Sequence, residues 1–358
     1  MNFRYRNETM AKKVLDSLRR MDLDVRLMHV CGTHQDTLVR FGLEEPLLDV
    51  GVEIRQGPGC PVCVTTSREI ADAMALAEAD ITIAVFGDML NVPTSIGSLA
   101  DVKAAGADVR IVYSIEDAVS MAEKCERMVF MAIGFETTVP TTAFPLLDGV
   151  PENFSVYSCH RQIPPALETL FGMGEVMIDG FIQPGHVATI IGLGPFRSFS
   201  GANEIPQVVS GFEPLDLLMS VHMLARQVVE GRHELENEYS RVVREEGNPR
   251  AIQAIDSVFR SEDRKWRGFP VIEGSALELR REFDDHNARL VHEEILDDLP
   301  PVQEELKGCR CGEVLRGLID SKECPAFGRN CTPMSPMGPC MVSREGSCNI
   351  RFRYDERT

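Results

Sequence analysis

Residues 127–142 read RMVFMAIGFETTVPTT, an apolar run that stops at a glycine and turns polar at once. A strand with one wet face alternates apolar and polar side chains. A strand covered on both faces of a parallel sheet reads as a near-continuous apolar run. The same pattern appears at 25–30 (VRLMHV), 52–57 (VEIRQG), 80–87 (DITIAVFG) and 109–114 (VRIVYS). It returns at 154–159 (FSVYSC), 176–185 (VMIDGFIQPG) and 206–212 (PQVVSGF). Helix-like stretches such as SREIADAMALAEA (67–79) and IEDAVSMAEKCE (115–126) lie between. This alternation predicts an α/β fold built from βαβ units. Eight runs divide into two groups of four. We therefore expect two α/β domains, 25–120 and 127–215, each a four-stranded parallel sheet flanked by helices. A third, helical and irregular domain is expected over 216–358, with a helix from 1–24 packed on it. Within it, LDLLMSVHMLARQVVEG (215–231) and ALELRREFDDHNARL (276–290) both carry amphipathic helical spacing.

At 358 residues the chain exceeds one comfortable core, which agrees with several domains. A net charge of -18 argues against a nucleic-acid binder, because phosphates would be repelled rather than neutralised. The N-terminal MNFRYRNETMAKKV has no signal-peptide run, and no stretch reaches the length of a membrane span, so the cytoplasm is the expected location. In that reducing compartment eleven cysteines read as ligands or reactive thiols rather than structural disulfides. They fall in two zones: Cys31, Cys60, Cys63, Cys125 and Cys159, then six between Cys309 and Cys348.

Glycines and prolines cluster just after the strand ends, where ligands sit in open α/β sheets. Cys31 lies there in MHVCGTHQDT, before a probable helix that Thr33 or Asp36 can cap. Amides at a helix start would favour its thiolate, and His34 brings an imidazole near. Cys60 and Cys63 lie in GPGCPVCVT. A C-x-x-C pair suits thiol redox chemistry, and no second pair stands nearby to complete a zinc site. Three further loops offer Asp88 with Asn91, Glu136 with Thr137 and Thr138, and His186; together they suggest a polar pocket. Cys125 and Cys159 have no companion motif and read as ordinary half-buried thiols.

The tail GCRCGEVLRGLIDSKECPAFGRNCTPMSPMGPCMVSREGSC holds Cys309, Cys311, Cys324, Cys331, Cys340 and Cys348. It is rich in Gly and Pro and poor in apolar periodicity, so a metal is the natural means of ordering it. Wide, irregular thiol spacing suits an iron–sulfur cluster. Six thiols exceed the four a cluster needs, and spacing alone does not say which two are spare.

These words together resemble the HypD family of [NiFe]-hydrogenase maturation proteins. The matching stretches are HVCGTH, GPGCPVCVT, GDML-VP, IGFETT-PTTA, IPPA, GFI-PGHV-TIIG and SGFEPLDLL, with CRCGEVLRG and C-PAFG--CTP-SP-GPCMVS-EG-C in the tail. The resemblance covers nearly the whole chain. It implies a metallocentre assembly scaffold with redox activity, rather than a conventional turnover enzyme. Two α/β domains and a domain carrying a [4Fe–4S] cluster are the implied fold. The implied partners are the chaperone HypC, HypE with HypF as cyanide source, and the hydrogenase large subunit. The implied cargo is an Fe(CN)2CO group. By the same resemblance, Cys31 holds the cargo iron with His34 beside it, and Cys60 and Cys63 form the redox pair. The family's ligand spacing selects Cys309, Cys324, Cys331 and Cys348 for the cluster, leaving Cys311 and Cys340 spare. One position departs: the family motif runs C-G-T-H-E, and this chain has Gln35, which can hydrogen-bond but accepts no proton at neutral pH, so that an orienting role would survive here and a base role would not. Two rival classes remain at this point. One is a ferredoxin-linked disulfide reductase, and the other is a zinc-stabilised interaction module.

Overall fold

All eight apolar runs form strands in the structure, a computed structural model that describes residues 7–354. They are β1 (Val25–His29), β2 (Val52–Gln56), β3 (Thr82–Phe86), β4 (Val109–Val112), β5 (Met128–Gly134), β6 (Phe154–His160), β7 (Gly180–Pro184) and β8 (Gln207–Ser210). Every residue of β5, β6, β7 and β8 is buried, as both-face coverage requires. Three strands follow: β9 (Leu235–Asn237), β10 (Phe259–Lys265) and β11 (Val271–Leu279).

The sheets do not follow the sequential grouping. One is a five-stranded parallel sheet ordered β2-β1-β7-β8-β9, and the other is a four-stranded parallel sheet ordered β4-β3-β5-β6. The chain lays down β1 and β2, crosses to build β3 to β6, and returns for β7. An apolar run reports that a strand is covered on both faces, and carries nothing about which neighbour it pairs with. Strand order reverses between β1 and β7 in one sheet and between β3 and β5 in the other. These are the crevices where open α/β sheets bind ligands.

The stretch 276–290 does not form the helix its spacing predicted. Residues up to Leu279 belong to β11, which pairs antiparallel with β10, and only a 3-10 turn (Arg281–His286) and a short helix (Ala288–Val291) follow. Ala276, Leu277, Glu278 and Leu279 are all buried in β11, and the charged residues after them lie in the 3-10 turn rather than on a helix face. The helix Pro214–Glu230 forms as expected, and the helix Glu8–Arg19 packs along it, with Ser17 Oγ 3.0 Å from His222 Nε2. Residues 1–6 of the expected N-terminal helix lie outside the described residues.

The tail folds back into the molecule. Its helix Ser347–Tyr354 packs on the helix Gly32–Arg40, and its short helices Cys311–Leu315 and Pro339–Val342 pack on the turn of helix Pro61–Val64. Cys60, Cys63, Cys311, Cys331, Cys340 and Cys348 thereby share one apolar core, which burial alone stabilises in proportion to area. Among the described residues no helix is long and apolar enough to cross a membrane.

Candidate thiol site

β1 ends at His29, and Cys31 itself takes the N-cap position of helix Gly32–Arg40 with an extended backbone. Neither Thr33 nor Asp36 caps it; the Asp36 carboxylate accepts instead from Arg353, at 3.2 Å. Burial pushes the Cys31 thiol up to about 11, outweighing the backbone N–H groups of His34 and Thr33 that draw it down, while the charge of Glu345 raises it further. Cys31 rests protonated, and a bound cation is the ordinary means of making it a thiolate.

The His34 ring is buried. Its Nε2–H donates to the Gly211 carbonyl at 3.0 Å, which leaves Nδ1 as a lone pair, and that buried atom has no hydrogen-bond partner. Burial, then the neighbouring His29, lowers the pKa of His34 to about 3, so the ring is neutral. His34 stacks on Phe212 with centroids 4.8 Å apart, and Phe212 stacks on the exposed His186 at 3.8 Å. Gln35 is buried with its Oε1 accepting from His29 Nε2 at 2.7 Å. His29 is likewise held neutral by burial, with its pKa lowered to about 4.

The C-x-x-C loop lies directly against this turn. Gly57 N donates to His29 O at 2.7 Å, and Gly32 N to Gly59 O at 3.1 Å. A Cβ on Gly59 would stand 2.2 Å from the backbone nitrogen of Cys31, so only glycine permits the approach. Cys60 and Cys63 are joined as a disulfide, fully buried, with Cα atoms 5.3 Å apart and Cys60 Sγ accepting from Cys63 N.

The other candidate loops separate. Asp88, at the β3 end, accepts from Ser343 Oγ (3.0 Å) and Arg344 N (3.2 Å) and so ties the tail to the four-stranded sheet. The next tail residue, Glu345, packs on Gly32, where a Cβ would meet it at 2.7 Å. The strap 343–345 therefore joins the β1 and β3 edges. Asn91 is exposed, and Thr138 packs its side chain on Gly134. Glu136 is buried, with one oxygen accepting from Ile163 N at 2.8 Å and Oε2 without a partner. Cys125 is half-buried, as expected, but Cys159 is fully buried beside the paired Glu69, Arg161 and Arg289.

In the tail, Cys309, Cys311, Cys324, Cys331 and Cys348 line one cavity with Val314, Phe327, Met337 and Met341. Cys340 is not in that lining; it stands behind, interacting with Cys311. Cys331 Sγ accepts from Met337 N at 3.3 Å. Gly338 makes room for sulfur: a Cβ there would stand 2.6 Å from Cys309 Sγ and 2.7 Å from Cys311 Sγ. The hydrogen bond to Cys311, then burial, raises the pKa of Cys309; burial chiefly raises those of Cys331 and Cys348. Five thiols crowded in an apolar wall cannot ionise together without cations, and this donor set fits an iron–sulfur cluster. No three His, Cys, Asp or Glu side chains among the described residues stand close enough to share one metal ion. A cubane asks for less, since each of its thiolates binds a different iron. The sequence did not single out Phe212, Glu345 or the Glu69–Arg161 pair; each acts through distant contacts that local spacing does not encode.

The chain matches the HypD family model, described as "Hydrogenase formation hypA family", over residues 7–355. It is 43% identical to a putative hydrogenase expression/formation protein of Methanocaldococcus jannaschii, covering 97% of this chain and 98% of that one. The hydrogenase maturation factor HypD of Escherichia coli is 39% identical over 93% of this chain and 90% of its own. HypD2 of Bradyrhizobium diazoefficiens is 43% identical, with 92% and 89% covered. With the family's motifs on the strand edges and in the tail, and a match along nearly its whole length, the chain belongs to the HypD family.

Proposed function

We propose that this hydrogenase maturation factor is a scaffold on which, with a HypC-type chaperone, the Fe(CN)2CO group of the [NiFe] active site is assembled. The observation that carries this reading is the contact between the Cys31 turn and the buried Cys60–Cys63 pair. It sets a single ligand thiol beside a two-electron thiol couple.

Cys31 and a cysteine of the chaperone supply the soft donors that low-valent iron prefers. Binding the cargo iron releases the Cys31 proton. The His34 Nε2–H is already given to Gly211, so the free Nδ1 lone pair suits a ligand or acceptor role rather than donation to a cyanide nitrogen. Gln35 fixes the His29 ring and carries no charge, so it orients rather than acts as a base. Cyanide reaches the site from HypE with HypF, and the finished group passes through HypC to the hydrogenase large subunit. Cys309, Cys324, Cys331 and Cys348 would hold a [4Fe–4S] cluster, which when bound supplies one-electron redox chemistry. The disulfide-reductase alternative is disfavoured because Cys60 and Cys63 are fully buried and present no surface on which a protein disulfide docks; a small dithiol reaches them through local opening.

The test is infrared spectroscopy of the anaerobically purified HypC complex in the cyanide and carbonyl region. Cys31→Ala should remove the cyanide bands while iron–sulfur absorbance persists. Unchanged bands would refute the assignment of Cys31.

A further inference from the structure

The segment Trp266–Pro270, between β10 and β11, carries none of the functional motifs, yet it enters the middle of the molecule. Trp266 is fully buried, its Nε1–H donating to Ser275 Oγ at 2.9 Å. Gly268 turns with φ +79°, and a Cβ there would stand 2.5 Å from Gly312 Cα, the residue after Cys311. One side of this turn therefore presses on the tail. Its other side grips the chain just beyond the redox pair. Arg267 N donates to Val64 O at 2.9 Å, its Nε to Thr65 O at 3.0 Å, and its Nη1 to Ser67 Oγ at 3.1 Å. Nη1 also meets the Glu304 carbonyl. The side chain is 2% exposed, in a setting that tolerates a guanidinium because several acceptors converge on it and the Glu304 carboxylate stands 3.7 Å from Nη1.

We propose that Arg267 is a positioning residue for Cys60 and Cys63: by fixing the backbone of 64–67 it holds the two cysteines at disulfide-forming separation and so sets their dithiol–disulfide equilibrium. The inference rests on reading this pair as redox-active. Their Cα separation of 5.3 Å lies inside the range a disulfide needs. A pair held there keeps its two sulfurs at high effective concentration, whereas a slack loop would lose much of it. The rigid fork explains why arginine serves: it places donors on backbone and side chain at once, which a lysine point charge does not. In exchange with an external dithiol the balance closes. The Cys60–Cys63 bond breaks and both sulfurs gain a proton, while the dithiol loses two protons and closes its own disulfide.

The test equilibrates the full-length protein, without oxygen, in dithiothreitol redox buffers at one pH. Free thiols are trapped, and the peptide bearing Cys60 and Cys63 is quantified by mass. Arg267→Lys and Arg267→Gln should shift the equilibrium about tenfold toward the dithiol, about 30 mV less negative for a two-electron couple. Ser67→Ala, which removes the hydroxyl's contacts with Arg267 Nη1 and the Glu304 carbonyl and keeps the guanidinium, should shift it less and in the same direction; it decides the matter if the arginine variants fail to fold. Variants that titrate with the parent, or that shift toward the disulfide, overturn the role of Arg267. A parent that never oxidises at this pair overturns the redox reading itself.

Discussion

At Glu136 a carboxyl is buried, with the Ile163 backbone N–H donating to one oxygen at 2.8 Å and the other oxygen unpartnered. Burial raises its pKa from 4.5 to about 7. The folded protein then binds one more proton than the unfolded chain between those values, so stability falls as pH rises through that window. The contribution is full below pH 4.5 and lost above pH 7, and amounts to about 3 kcal/mol at 1.36 kcal/mol per unit. Glu136→Gln should flatten this decline in denaturant titrations from pH 5 to pH 8; an unaltered slope would assign the pH dependence elsewhere. At the same scale, the cysteines and His34 were legible in the sequence because their neighbours in the chain carry the pattern. The protonation of Cys31 was not. A helix start announces amides that favour a thiolate, but burial, joined by the charge of Glu345, pushes the thiol up. Gln35 was legible as a lost base, and its partner His29 only from the fold.

Elements meet here through glycines. The Cys31 turn and the C-x-x-C loop touch backbone to backbone, and at Gly59 the nearest atom is the Cys31 nitrogen, which cannot swing aside as a side chain would. Gly59→Ala should therefore cost about 3 kcal/mol, the upper end of ordinary overpacking, read by chemical denaturation against the parent. A loss below about 0.5 kcal/mol would mean that the two loops separate freely. The eight principal strands were legible because continuous apolar runs bounded by glycine have few other readings. β10 and β11 were not, since the ALEL of β11 fits a helical stripe as well as a buried strand, and the exposed, charged β10 offers no apolar run. That miss hid Arg267, whose partners lie about two hundred positions earlier in the chain.

For the whole molecule, two parallel sheets set their reversal points at Cys31 and Asp88, and the tail bridges them through Ser343, Arg344 and Glu345. The tail also packs its cysteine-lined cavity behind the C-x-x-C turn, so the two thiol zones, some three hundred residues apart in the chain, adjoin in space. Composition announced two chemical zones, but the packing of the tail helices on Pro61–Val64 and Gly32–Arg40 brings them together, and no local pattern encodes that choice. The central claim is that sulfur does two jobs in one body, holding a cargo iron at the sheet edge and caging a cluster behind it. The most direct test is elemental: iron and acid-labile sulfide in protein purified without oxygen. Brown protein with about four of each per chain is the expected result. Colourless protein containing neither would contradict it.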